Sequence, residues 1–295
     1  MAILNFSRRF KREFVKALSK CGIKSSYINQ NGQSLKIPLM QGVGASNHMI
    51  LDDRMAFFAR ICAAKKTGLA LDVGANVGAF FIQLQSFGWF NKGGSYLGFE
   101  PNPLCSYYVQ ELARINRISD ADCLCVALTA RPELAILYGY QEADKMASLT
   151  ADYAYRKHRA KDFTMRVIAE KGDALLERIN SPAVSLIKID VEGHEEDVIA
   201  GLSVTLATST PWLFCEMWDT NSRKIDKDGG DLAARGAMLE LLSNIGYVAY
   251  DAQMNKHRLI DLSIHAFNAL GGTDVIFVPE GETALFESAL SHAAQ

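Results

Sequence analysis

The chain has 295 residues, of which 49% are hydrophobic and 22% charged, and its formal net charge is −2. This composition allows a sizeable core, and the small net charge gives no overall field that would draw the protein onto nucleic acid. No apolar run is long enough to cross a bilayer, and the N-terminus lacks the features of a secretory signal. The six cysteines form no CxxC pair and the six histidines show no metal-ligand spacing, so we expect free thiols and a cytoplasmic protein.

Residues 1–24 predict a basic amphipathic helix. Its apolar side chains recur at steps of three and four and therefore form one helical stripe: Ile3, Phe6, Phe10, Phe14 and Leu18. Seven basic residues and one acid give this segment a charge of +6 and leave −8 for the rest of the chain. Such a helix could lie on an anionic membrane at its inner face, or pack against the domain or a partner subunit with its basic face in solvent.

The next stretch, SYINQNGQSLKIPLM, predicts two short strands joined by an Asn-Gly turn. Together with the basic helix, this hairpin forms an N-terminal unit that we place at residues 1–50. We expect one larger α/β domain over residues 51–295, because strands and helices alternate from there to the end of the chain.

The predicted elements of this domain are, in chain order, a helix over 52–65, a strand ending at Asp72, a helix over 76–87, a strand over 95–100, a helix over 102–116, strands over 122–128, 133–140 and 163–169, a helix over 173–179, a strand over 184–190, a helix over 194–206, a strand over 211–217, a helix over 232–244, and strands over 247–252 and 274–279. This order predicts a Rossmann-like, doubly wound and mostly parallel sheet. Ligands of such sheets bind beyond the C-terminal ends of the strands, where the strand order switches. The polar stretch 141–162 is a candidate substrate loop.

The turn in LDVGANVGAF, residues 71–80, follows the strand that ends at Asp72. Its glycines are Gly74 and Gly78, and Asn76 stands where a dinucleotide fingerprint has its middle glycine. The turn is therefore poorly adapted to a pyrophosphate and better suited to a ligand that presents an ammonium and a carboxylate. Asp72 could bind the cationic group, and Gly74 could let the ligand pass close to the backbone.

The following strand ends at Glu100, inside GFEPNP. An acid in this position can accept hydrogen bonds from both ribose hydroxyls of a nucleoside. A ribose next to an amino-acid-like tail points to S-adenosylmethionine as the ligand.

Four stretches in the same order resemble the FkbM family of class I S-adenosylmethionine-dependent methyltransferases: LDVGANVGAF, GFEPNP, LIKIDVEGHEEDVIAGL (186–202) and PWLFCEMW (211–218). The similarity runs from about Ser34 to Trp218. It implies a seven-stranded sheet whose last strand, 274–279, is antiparallel. It also implies a cofactor site in the two turns and after the third strand, at Asp72, Gly74, Ala75, Asn76, Gly78, Glu100, Pro101, Asn102 and Ala127.

The segment KIDVEGHEE supplies the candidate catalytic residues. Strand alternation puts Lys188 and Asp190 on one face, with Asp190 at the strand end that faces the cofactor crevice. We expect Asp190 to position groups near the transferred methyl, and His194 to act as the general base that a hydroxyl acceptor requires. Glu192 lies in the same turn, where Gly193 permits a bend.

Glu216 and Trp218 are the candidate acceptor-binding residues, since a carboxylate can orient a sugar hydroxyl and an indole can stack on a sugar face. An alternative is that Asp190, Glu192 and Glu216 hold one magnesium ion through oxygen ligands. The spacing does not demand a metal, and we expect none.

The resemblance implies an O-methyltransferase that acts on a carbohydrate, glycolipid or natural-product hydroxyl. One alternative is a nucleic-acid methyltransferase, which the −8 balance outside the N-terminal helix disfavours. Another is a regulatory protein that binds S-adenosylmethionine without turnover. The sequence leaves open the acceptor and the oligomeric state.

Overall fold

The structure is a computed structural model of the chain. It describes residues 13, 16–40, 43–44, 53–139, 147–149, 163–217, 230–252, 259–263, 267 and 273–293. Most of the predicted N-terminal helix, most of the candidate loop 141–162, and Trp218 lie outside these residues. Within them, no helix combines the length and apolar character that crossing a membrane requires.

The strands are β1 (Ser25–Gln30), β2 (Gln33–Pro38), β3 (Leu69–Val73), β4 (Ser95–Phe99), β5 (Ala121–Leu124), β6 (Ala127–Thr129), β7 (Glu133–Gly139), β8 (Phe163–Lys171), β9 (Val184–Ile189), β10 (Trp212–Met217), β11 (Tyr247–Asp251), β12 (Leu259–Ile260) and β13 (Thr273–Pro279). The helices are α1 (Asp53–Cys62), α2 (Ala79–Ser86), α3 (Pro103–Ile115), α4 (Gly172–Arg178), α5 (Glu195–Gly201), α6 (Ser203–Ser209), α7 (Gly230–Asn244) and α8 (Thr283–Ala293). Short 3₁₀ turns cover Phe90–Lys92 and Glu280–Glu282.

The main sheet has the strand order β12-β11-β13-β10-β9-β3-β4-β5. Strands β5, β4, β3, β9 and β10 pair in parallel, and β13 is antiparallel to both β10 and β11. The predicted fold class and the antiparallel last strand are therefore confirmed. The two-residue β12 adds an eighth strand at the edge of the expected seven.

Both faces of this sheet are covered, which explains why its central strands are continuous apolar runs. All five residues of β3 are buried, and Ala70 and Leu71 belong to the two separate core clusters on opposite faces. The connection from β3 leads to β4 on one side, whereas β9 pairs with its other side. The strand order switches there, so the crevice that can take a ligand lies beyond the C-terminal ends of β3, β4 and β9.

The prediction of a single strand over 122–128 is wrong, because these residues form two strands in different sheets. The chain leaves the main sheet after Leu124, and β6 then pairs with β8 in a three-stranded sheet of order β6-β8-β7. This departure opens the edge of the main sheet next to Glu100, whose amide N–H donates to the Leu124 carbonyl at 3.0 Å.

The predicted helix over 194–206 is broken into α5 and α6. The Asp173 carboxylate of α4 accepts hydrogen bonds from the Val204 and Thr205 amides at 3.0 and 2.9 Å. These amides are among the first of α6, which lack partners within the helix, so an external carboxylate stabilises a separate helix start. Helix α8 was not predicted from the sequence, and its Phe286 ring packs edge-on against Trp212 at 5.2 Å.

The predicted Asn-Gly hairpin is present. Asn31 and Gly32 have φ of 48° and 75°, as a two-residue hairpin turn requires. Strand β2 lies along α3, where the Asn116 side chain accepts from the Lys36 amide at 2.9 Å and donates to its carbonyl at 2.8 Å. Leu35 of β2 belongs to the same core cluster as α1 and α3. The boundary at residue 50 between the N-terminal unit and the α/β domain stays a prediction.

Candidate functional site

The turn after β3 is built from left-handed backbone. Gly74, Asn76 and Gly78 have φ of 76°, 48° and 75°, and glycine and asparagine tolerate this region best. The Gly78 amide donates to the Ala75 carbonyl at 2.8 Å, and Gly78 is the residue that precedes α2. These residues therefore form the tight turn between strand and helix that the two glycines predict.

Gly74 is required by contacts within the protein. A Cβ atom there would lie 2.0 Å from the Asp190 backbone carbonyl oxygen, which no rearrangement of a flexible side chain could relieve. The Gly74 and Ala75 amides donate to the Phe99 carbonyl at 3.0 and 3.2 Å. Gly74 thus allows the ends of β3, β4 and β9 to pack closely. The expected close approach of a ligand to Gly74 stays a prediction.

Glu100 joins the two predicted cofactor turns. Its Oε2 accepts from the Asn76 amide and its Oε1 from the Asn102 amide, both at 2.8 Å. Burial raises the pKa of Glu100 to about 7, although the two backbone hydrogen bonds act in the opposite direction. Each oxygen has a second lone pair, so the carboxylate can still accept hydrogen bonds from two hydroxyls. Glu100 is therefore suited to hold a ribose.

Asn102 has a structural contact of its own. Its Oδ1 accepts from the Leu104 amide at 3.0 Å and so caps α3.

The carbonyl of the preceding Pro101 accepts from the Cys125 thiol at 3.5 Å. Cys125 is exposed, whereas Ala127, the residue of the implied cofactor site that follows the third strand, is buried and paired within the side sheet. Sequence reasoning missed Cys125 as a residue next to the predicted cofactor turn, because the departure of the chain from the main sheet was not predicted.

Lys188 connects the ends of β3 and β9. Its Nζ donates to the Gly74 carbonyl at 2.8 Å and lies 3.1 Å from Asp72 Oδ1 and 3.5 Å from Asp190 Oδ2. Its side chain is only 3% exposed. Burial alone would lower the pKa of Lys188, but the charges of Asp72 and Asp190 outweigh this effect and raise it. Lys188 is thus a permanent cation with the contacts of a positioning residue, and its predicted place among the catalytic residues stays a prediction.

Asp72 is wholly buried among protein groups. Besides Lys188, it contacts Tyr96, whose hydroxyl donates to Asp72 Oδ2 at 2.8 Å. Burial and the neighbouring Asp72 charge raise the pKa of Tyr96, which keeps this hydroxyl a neutral donor. The expected contact between Asp72 and a cofactor ammonium stays a prediction. Tyr96 was missed by the sequence reasoning, since a tyrosine in an apolar strand looks like any other core residue.

Asp190, Glu192 and Glu216 converge at the carboxyl ends of β9 and β10. Their carboxylate oxygens all lie within 4.8 Å of one another. Burial, followed by the charge and hydrogen bond of Asp190, strongly raises the pKa of Glu216. The two carboxylates are therefore coupled, and the raised pKa of Glu216 favours its protonated form beside Asp190. Three carboxylates also match the ligands that magnesium prefers, so this cluster contains the groups that the alternative metal site would use.

The turn between Asp190 and α5 is bent as expected. Glu192 and Gly193 have φ of 56° and 103°, and the Gly193 amide donates to Glu195 Oε1 at 2.9 Å. The Glu192 carbonyl accepts from the buried Ser148 hydroxyl at 2.8 Å. These contacts hold the backbone from which the Glu192 carboxylate reaches the cluster.

His194 lies to one side of this cluster. Its Nε2 is 3.4 Å from the Thr129 hydroxyl and 3.5 Å from Asp197 Oδ2. It does not belong to the group of side chains that converges within 4.8 Å among the described residues. The structure thus brings Asp190, Glu192 and Glu216 together but does not bring His194 to them.

A further carboxylate and an arginine border this edge. Glu216 faces Asp274 across the β10–β13 ladder, and Asp274 forms an ion pair with Arg54 at 2.8 Å. A crevice lined by carboxylates attracts cationic ligands and repels polyanions.

The family described as the methyltransferase FkbM domain matches residues 72–249, more than half of the chain. The chain belongs to the FkbM methyltransferase family. Among relatives of this FkbM protein, "Methyltransferase 1" of Beauveria bassiana (strain ARSEF 2860) is 28% identical over 145 residues. That alignment covers 45% of this chain and 57% of the relative, so the chain spans little more than half of the relative's length.

Solved structures to which the chain is similar include methyltransferase FkbM from Methylobacillus flagellatus KT, with 15% identity, a TM-score of 0.43, and coverage of 72% of this chain and 44% of that one. Another is the O-methyltransferase from Bacillus cereus in complex with SAH, with 11% identity, a TM-score of 0.45, and coverage of 94% and 92%.

Replacing Lys188 tests its contribution to the site. Lys188→Met leaves the buried Asp72 carboxylate without its cation, so we expect the free energy of unfolding to fall by about 3–5 kcal/mol in urea denaturation. The exposed lysine variant Lys66→Met is the control and should change little. The double variant Asp72→Asn/Lys188→Met should recover at least half of the loss. A Lys188→Met protein as stable as the control would contradict the assigned ion pair.

Proposed function

We propose that this FkbM protein is an S-adenosylmethionine-dependent O-methyltransferase whose acceptor is a hydroxyl of a carbohydrate, glycolipid or other natural product. The observation that carries the proposal is Glu100, a buried carboxylate held by the amides of both turns and able to accept two further hydrogen bonds. Membership of the FkbM family supports methyl transfer as the reaction.

The residues of the crevice fit this cofactor. Glu100 would hold the ribose, the turn from Gly74 to Gly78 would face the methionine tail, and Pro101 with Cys125 would border the base. When bound, S-adenosylmethionine supplies a methyl group that is activated by its positive sulfur. The acidic edge favours a cationic ligand, and the same charge disfavours a polyanionic nucleic acid as acceptor.

The proton of the acceptor hydroxyl needs a base within reach, because a free alcohol is a poor nucleophile. We assign this role to Asp190, since Lys188 stabilises its ionised form and protonated Glu216 donates a hydrogen bond to it. Asp190 retains 30% side-chain exposure, so an acceptor can reach it. His194 was our first candidate from the sequence, but its contacts with Thr129 and Asp197 favour a supporting role.

The cofactor site is tested by calorimetric titration with S-adenosylhomocysteine. We expect micromolar binding that weakens at least about tenfold in Glu100→Ala, because a hydrogen-bonded charged group is lost. Glu133→Gln, an exposed carboxylate elsewhere, is the matched control. A wild-type protein that does not bind, or a Glu100→Ala protein that binds equally well, would contradict the proposal.

The same titration has an expected pH dependence. Hydroxyl donors favour the ionised form of Glu100, whose pKa in the free protein is about 7, so affinity should fall as the pH is lowered through this value. Between about pH 8 and pH 6 the wild type should lose affinity and Glu100→Gln should not. Equal pH profiles for the two proteins would show that another group controls binding.

The base is tested with any acceptor found in a screen of hydroxyl-bearing sugars, glycolipids and natural products. Asp190→Asn should lower kcat by about 10²–10⁴, whereas His194→Gln should lower it by less than about tenfold. Affinity for S-adenosylhomocysteine, measured in parallel, should stay close to that of the wild type in both. The reverse order of effects would restore His194 as the base. Activity that is abolished by EDTA and restored by magnesium would instead assign the carboxylates to a metal.

A further inference from the structure

Positive charge in this chain is concentrated at its beginning. Residues 1–51 contain eight basic residues and the single acid Glu13, a net charge of +7, which leaves −9 for residues 52–295. No Asp or Glu occurs between Glu13 and Asp52. The N-terminal segment is therefore strongly basic, whereas the rest of the chain is acidic.

The described part of this segment exposes large apolar side chains among its lysines. Ile23 is 43% and Tyr27 64% exposed, and Lys20 and Lys24 next to them are also exposed. The Lys36 ammonium lies over the Tyr27 ring at 5.8 Å from its centre, opposite Tyr27 in the hairpin register. We refer to Lys20, Ile23, Lys24, Tyr27 and Lys36 as the hairpin surface.

The hairpin has one inward and one outward face. The β1–β2 ladder continues one residue beyond β1, since the Leu39 amide donates to the Lys24 carbonyl at 2.9 Å. Tyr27 and Lys36 are directly opposite each other and so share one side of the hairpin. The other side carries Leu35, which is buried in the core. The hairpin therefore has one face packed on the domain and one outward face with Tyr27 and Lys36, and the exposed Ile23 precedes its first strand.

We propose that the hairpin surface docks on an anionic lipid bilayer. Exposed apolar side chains can enter the headgroup boundary, and lysines beside them stay in contact with the anionic headgroups. Each lysine near such a surface adds to the attraction. The preceding sequence adds Arg8, Arg9, Lys11 and Arg12 to the same end of the chain. This inference does not depend on the proposed function, because docking requires neither cofactor nor acceptor.

The test is flotation of the protein of residues 1–295, without cofactor, with phosphatidylcholine vesicles that contain about 30% phosphatidylserine. We expect binding to these vesicles at physiological salt and little binding to vesicles of phosphatidylcholine alone. The triple variant Lys20→Gln/Lys24→Gln/Lys36→Gln should lower the partition coefficient on the order of a hundredfold. The matched control Lys66→Gln/Arg131→Gln/Arg178→Gln removes the same charge from other exposed positions and should bind as the wild type does.

A second variant separates apolar insertion from charge. Ile23→Ser/Tyr27→Ser keeps every lysine and should weaken binding to the anionic vesicles by about tenfold or more. Wild-type protein that does not prefer anionic vesicles, equal losses in the two triple variants, or an Ile23→Ser/Tyr27→Ser protein that binds normally would each overturn the proposal. Salt-sensitive binding to duplex RNA without binding to vesicles would overturn it in favour of a nucleic-acid partner.

Discussion

The site depends on one buried cation. Lys188 Nζ lies within hydrogen-bonding distance of the Gly74 carbonyl and beside the carboxylates of Asp72 and Asp190. It therefore fixes the ends of β3 and β9 at the point where the strand order switches. A buried carboxylate such as Asp72 is costly without a partner, so the lysine and the aspartate require each other. The close contact between Gly74 and the Asp190 backbone completes this joint between the two strands.

Two functional regions extend from this joint. On the β4 side, Glu100 bridges the two turns and offers acceptors for a ribose. On the β10 side, Asp190 meets Glu192 and Glu216, and Lys188 lies 3.5 Å from Asp190 and favours its ionised form. Under the proposed function, Glu100 holds the cofactor and Asp190 accepts the proton, so the two roles fall on opposite sides of the same lysine, as transfer between two neighbouring ligands requires.

Periodicity and glycine spacing predicted most of the main sheet, because parallel strands buried on both faces leave continuous apolar runs. The break between β5 and β6 could not be predicted, since it depends on pairing with β8, distant in sequence. The split between α5 and α6 likewise depends on Asp173 from another helix. In the site, strand alternation predicted that Lys188 and Asp190 lie on the same face of their strand. It could not predict Tyr96 as the partner of Asp72, or place His194 beside Thr129, because those contacts join separate strands and helices.

The central claim is that a nucleoside occupies the crevice beside Glu100, and the Cys125 thiol reports on it directly. Among the six cysteines only Cys21 and Cys125 are exposed, so a Cys21→Ser protein has one accessible thiol at the crevice. Saturating S-adenosylhomocysteine should slow alkylation of Cys125 by iodoacetamide about tenfold or more, because a bound ligand blocks access to the thiolate. In a Cys125→Ser protein, alkylation of Cys21 should be unaffected. Equal alkylation of Cys125 with and without the ligand would contradict the claim.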